Sequence, residues 1–160
     1  MKLSEYSVKR CHTAAGWLVH DCRVLLVKHK LLGIWLAPGG HVEENELPHH
    51  AAEREFFEET GIRVKAINAH TLPKPAKETE HLPLPFVCNL HWINRPGELK
   101  KNPTSGKICE QHYVFGFFVK PAGSLSLGLG DEGIEDIRWY SLSEIDDVQT
   151  TNTIKNEARF

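Results

Sequence analysis

The sequence predicts a single α/β domain, on three observations. Its 160 residues fit one domain, since chains of about 100–200 residues usually form one core. Short β-branched or apolar runs recur along it and flank one well-marked helical segment over residues 48–60. The run Tyr113–Val119 (YVFGFFV) is apolar on both faces, as expected of a mid-sheet strand covered on both sides. A chain of this size removes roughly 68–70% of its unfolded surface from water, so it needs no disulfide or structural metal.

The elements follow in order. Thr13–His20 and Val24–His29, separated by Asp21-Cys22-Arg23, read as a hairpin, and Ile34–Ala37 as a third extended piece. Pro38-Gly39-Gly40 is expected to break the chain. From Pro48 to Thr60 the pattern turns helical, with proline tolerated in the first turn and Gly61 placed as a C-terminal cap. Ile62–Thr71 and Phe86–Ile93 read as further strands, and Asp136–Ser141 as the last. Ser143–Asp146 is expected to open a short helix on a serine cap, with a weakly helical tail after it. Six of the nine prolines fall within 71–107, which predicts long loops there, the natural place for specificity.

Composition excludes several classes. With 41% hydrophobic and 25% charged residues, the chain is neither disordered nor fibrous. A net charge of −2 supplies too little positive field to favour a nucleic acid polymer. The longest nearly apolar stretch, Leu31–Pro38, falls far short of the roughly 18 residues of a membrane span. The first residues carry an early acid and no apolar run, so no signal peptide is read and a cytoplasmic location is expected. Cys11, Cys22, Cys88 and Cys109 show no CxxC spacing and are expected to be reduced, unpaired thiols.

Chemistry concentrates in one segment. Glu43, Glu44, Glu46, Glu53, Glu55, Glu58 and Glu59 place seven of the 21 acidic residues within 17 positions. On a helix Glu55, Glu58 and Glu59 fall at i, i+3 and i+4, three carboxylates on one face. Like charges so spaced cost about 0.2–0.5 kcal/mol per pair, which a helix has no local reason to accept. A hard divalent cation with oxygen ligands resolves the conflict, shared with substrate phosphates. Arg54, one turn from Glu58, offsets only part of the charge. The Gly39-Gly40 pair lets the preceding loop approach, where a backbone carbonyl adds an uncharged ligand. The alternative is a solvated, glutamate-rich surface helix.

The full spacing decides between them. Gly40, Glu46, Arg54-Glu55, apolar Phe56, Glu58-Glu59, Gly61 and apolar Ile62 match every fixed position of the Nudix box, with a chance frequency on the order of one in ten million. The chain therefore resembles the Nudix hydrolases (MutT-like) over residues 40–62. A weaker likeness runs from Val8 to Asp147, including Trp35-x-x-Pro38-Gly39-Gly40 and Ile137-Arg138-Trp139-Tyr140. The resemblance implies an α/β/α sandwich around a central mixed sheet, the box being a loop–helix–loop, in one domain over 1–160.

It also implies a function: hydrolysis of a nucleoside diphosphate linked to another moiety, ADP-ribose-like, or of a nucleoside triphosphate, by water attack on phosphorus with Mg²⁺ (or Mn²⁺). By motif position Gly40 (through its carbonyl), Glu55, Glu58 and Glu59 are implied as metal ligands, and Arg54 as the residue orienting them, with Glu46 its partner. An alternative for Arg54 is a substrate-phosphate contact. The general base in such enzymes is a box glutamate or a later loop acid; here Glu132 is the outside candidate and Glu135 its competitor. His41, Phe86 and Trp92 are candidate substrate contacts, although buried Trp and Phe in strands are more often core. Partners are a small nucleotide-type substrate, with neither nucleic acid polymer nor membrane; relatives are often dimers, so a homodimer is admitted. Two alternatives remain: an isopentenyl-diphosphate isomerase-like enzyme, disfavoured because no cysteine stands near the box in sequence, and a non-catalytic Nudix-fold regulator.

Overall fold

The computed structural model describes residues 2–95, 108–128, 130 and 133–160. Among the described residues eight strands form one mixed sheet: β1 Arg10–His20, β2 Arg23–His29, β3 Trp35–Leu36, β4 Gly39–His41, β5 Val64–Ala66, β6 Val87–Trp92, β7 Gln111–Pro121 and β8 Ile134–Ser141. The main path runs β3-β2-β1-β7-β5, with β4 on β1, β6 on β7 and β8 on β2. The β1–β7 ladder is parallel and its nine pairs run from Arg10↔Gln111 to Leu18↔Val119; every other pairing is antiparallel.

Alternation along β1 divides the core between two layers. Ala14 and Leu18 point to a cluster with Phe56, Ala51 and Ala52 of helix α1 (Pro48–Thr60), joined by Phe117 and Val119 from β7. Ala15 and Trp17 point the other way, to Trp35, Ile145 and Val148, over which helix α2 (Asn152–Ala158) packs through Ile154 and Ala158. Helices thus cover both faces of a mixed sheet, as expected. Gly16 permits the close fit: a Cβ there would stand 2.8 Å from Phe56 Cδ2. Burying a ring such as Phe56, which is fully enclosed, contributes about 1.5–3 kcal/mol.

Helix α1 has the expected bounds. Gly61 closes it at φ 74°, its N–H donating to the Phe57 carbonyl at 2.8 Å. The β1–β2 turn is held by Asp21 and Cys22, both left-handed.

Other expectations are corrected. Pro38-Gly39-Gly40 does not break the chain: Gly39–His41 is β4, paired to Thr13–Ala15. The strand expected over Ile62–Thr71 is only Val64–Ala66: the ladder ends at Ala66↔Val119, the Ile67 N–H still donates to the Phe118 carbonyl at 2.9 Å, and from Gly116 the same edge of β7 is taken by β6. Ser143–Asp146 forms turns, with the Glu144 carboxylate folded back onto the Ser141 N–H and hydroxyl, and the regular helix comes later as α2. Of the loops expected over 71–107, residues 71–86 carry no regular structure and 96–107 lie outside the described residues.

The cysteine expectation is also overturned. Cys11 and Cys109 form a disulfide, while Cys22 and Cys88 are exposed free thiols. Parallel pairing of β1 with β7 brings positions 98 apart in sequence to a Cα–Cα distance of 5.8 Å, a closeness that residue spacing does not encode. Among the described residues no helix is long and apolar enough to cross a membrane.

Candidate active site

Helix α1 and the β4 strand before it assemble the acidic site. Arg54 is its hub. Nε and Nη2 form a fork on Glu46 at 2.9 and 3.0 Å, Nη1 donates to Glu55 (2.8 Å) and Glu58 (3.0 Å), and Nη2 also donates to the His41 carbonyl at 3.0 Å. The five donors of a guanidinium are all used within the protein. Hydrogen bonding to Glu46, followed by Glu55, drives the Arg54 pKa further up, so the cation is permanent; the same bond lowers the Glu46 pKa against the opposing effect of burial.

Glu59 is 6% exposed, and its carboxylate accepts the Gly39 N–H at 3.0 Å. A buried carboxylate needs such compensation. Gly40 lies so close that a Cβ would come within 2.4 Å of the Glu55 carboxyl, so only glycine lets this backbone reach the acidic face. Gly40 of β4 thus lies against Glu55, and Gly39 against Glu59, with Glu58 tied to Glu55 through Arg54. Carboxylate and carbonyl oxygens are the donor set that a hard divalent cation takes.

Not every acid belongs to this site. Glu53 accepts the Ala66 N–H at 2.9 Å and pairs with Lys65 at 2.7 Å, tying α1 to β5. Glu135 pairs with Lys28 at 2.9 Å across β8 and β2. Glu132 lies outside the described residues. The loop leading to it does reach the helix: Gly128 donates to the Thr60 carbonyl at 2.9 Å, and a Cβ on Gly130 would stand 2.3 Å from the Glu58 carbonyl oxygen.

A cavity of about 530 Å³ opens beside the box loop, lined in part by Lys9, His12, His41, Glu43, Glu46 and Phe115. His41 is there as expected. Phe86 is not: it stacks on Phe118 at 4.2 Å and meets Trp17 edge-on, in the layer opposite α1. Trp92 packs edge-on against Tyr6 at 5.0 Å. Sequence reading missed His12 and Phe115, whose rings stand 6.0 Å apart; their shared face on β1 and β7 becomes visible only once the two strands are paired. Cysteine also stands near the box in space, with Cys109 Sγ 3.4 Å from His41 Nε2, contrary to the expectation from sequence distance.

The NUDIX domain family model matches residues 10–159, nearly the whole chain. The chain belongs to the Nudix hydrolase family. It is 32% identical over 110 residues to an 8-oxo-dGTP diphosphatase of Proteus vulgaris, spanning 62% of this chain and 94% of that one. In fold it is similar to a NUDIX-family hydrolase from Clostridium perfringens, with TM-score 0.72, 23% identity and 94% and 95% of the two chains covered. It is also similar to a C. elegans Ap4A hydrolase, with TM-score 0.60, 14% identity and 95% and 93% covered. Members of this family are enzymes that hydrolyse small nucleotide substrates, generally with divalent metals. The box and the fold carry that membership together.

Proposed function

We propose that this Nudix hydrolase is a Mg²⁺-dependent pyrophosphohydrolase of a nucleoside triphosphate or an ADP-ribose-like nucleoside diphosphate, with Mn²⁺ as a second usable ion. The observation that carries the reading is the Arg54 network, which fixes Glu46, Glu55 and Glu58 together beside the glycine-lined backbone of β4. Glu55, Glu58, Glu59 and the Gly40 carbonyl would hold the cation, which when bound neutralises the phosphates and lowers the pKa of water. Arg54 holds the carboxylates in place and is a positioning residue. The base would enter the cavity between His12, His41 and Phe115, with Lys9 facing phosphate charge. Glu132 would take the proton of the attacking water; in support, its loop is anchored on the C-terminal end of α1 through Gly128 and Gly130. The triphosphate reading is the better supported of the two, from the similarity to the Proteus diphosphatase.

The test is a nucleotide panel with Mg²⁺ and Mn²⁺ in which both products are identified. Release of pyrophosphate and a monophosphate is expected, with losses of about 10²-fold or more in Glu58→Gln and Glu59→Gln. Turnover equal with and without those carboxylates would sink the reading. Glu132→Gln is expected to lower kcat by about 10²–10⁴-fold at saturating metal; unchanged turnover would remove Glu132 as the base.

A further inference from the structure

The face of the sheet opposite α1 carries, at one end, a group of sulfur and imidazole side chains, of which His41 also borders the substrate cavity. In the β1–β4 register Thr13 stands opposite His41, and Cys11 is the next same-face residue of β1. Cys11 pairs with His112 of β7, and His112 with His91 of β6. One ligand atom from each of Cys11, His41 and Cys109 lies within 4.8 Å of the others. The His112 ring meets His41 edge-on at 4.9 Å and His91 at 5.8 Å. Cys109 is buried, and Cys11 and His41 line the cavity beside the box, which gives an ion a route in. The Thr13 hydroxyl, on a residue 7% exposed, has no hydrogen-bond partner among the described residues.

We propose that Cys11, Cys109 and His41 form a second cation site that takes a soft divalent metal of the zinc class when the Cys11–Cys109 disulfide is reduced. Two thiolates and one imidazole are a donor set for zinc-class ions, with the fourth tetrahedral position left open. The box is the reverse case, oxygen donors for a hard cation. One chain would thereby sort two kinds of metal on neighbouring sites that share the β4 segment Gly40-His41. Disulfide and metal are mutually exclusive occupants. A dithiol or phosphine supplies two electrons, the S–S bond breaks, and each sulfur takes a proton; the metal then displaces both protons as the two S–metal bonds form.

The experiment uses the whole chain, reduced with a phosphine under argon, freed of reductant and titrated with Co²⁺ in the presence of saturating Mg²⁺. The expected result is one Co²⁺ per chain with a thiolate-to-cobalt charge-transfer band, displaced by Zn²⁺. The oxidised protein shows no such band. Cys11→Ser and Cys109→Ser are each expected to weaken Co²⁺ binding by about tenfold or more, as is His41→Asn, whereas Glu58→Gln keeps the band because the box is a separate site. Absence of the band in the reduced protein overturns the proposal, as does a band that survives both cysteine substitutions. Should the variants fail to fold, the unmodified chain decides alone: equal spectra for its oxidised and reduced forms overturn the proposal.

Discussion

Arg54 illustrates how much of the site depends on one side chain. Its planar fork spans Glu46 on one edge while Nη1 reaches Glu55 and Glu58, and no single ammonium covers those positions. Removing it leaves three clustered carboxylates repelling one another and the His41 carbonyl without that donor. Arg54→Ala is therefore expected to raise the Mg²⁺ concentration for half-maximal activity by about 10–100-fold, with Arg54→Lys recovering little of it. Metal titrations at fixed substrate check this. An unchanged metal requirement with a raised KM would instead make Arg54 a phosphate contact.

At the scale of elements, α2 carries a titratable group whose sign can be worked out. Burial raises the Glu157 pKa, partly offset by the Asn89 amide, which donates to its carboxylate at 2.8 Å. A raised folded-state pKa contributes stability that is fully present below the unfolded value near 4.5 and is lost as pH rises through the folded value. Glu157→Gln keeps an acceptor for Asn89 and removes the charge. It is expected to leave stability near pH 4 almost unchanged, raise it at pH 7 and flatten the slope between, as measured by urea unfolding across pH. Elements such as α1 could be read to the residue because Pro48, the apolar positions Ala52 and Phe56, and Gly61 are all local signals. The box could be read for the same reason, its glutamates sharing one helix and its glycine lying shortly before it. Where long-range pairing decides, local signals fail: β5 is cut short because β6 takes the same edge of β7, and His12 meets Phe115 only across the β1–β7 ladder, whereas Ser143–Asp146 is diverted locally by the Glu144 carboxylate turning back onto Ser141.

That same ladder sets the behaviour of the whole molecule. The Cys11–Cys109 bond closes a loop between residues 98 apart in sequence, tying β1 to the segment just before β7, where the two strands are already joined by nine parallel pairs. Tying such a loop in the unfolded chain is worth at most about 4–5 kcal/mol in the chain-entropy view, with about 2–5 kcal/mol typical for removing a native bridge. Two core layers, one on each face of the sheet, remain when the bridge is cut, and a 160-residue chain buries enough surface to fold without it. The Cys11→Ala/Cys109→Ala double variant, held in a chelator so that no metal contributes, is therefore expected to keep its circular dichroism spectrum. Its unfolding free energy should fall by about 2–5 kcal/mol, read by linear extrapolation of urea unfolding, with a steeper slope because the denatured chain without the bridge exposes more surface. A variant unfolded at 25 °C would mean that the bridge, rather than the packing of α1 and α2 on the two faces, is what makes this domain stable.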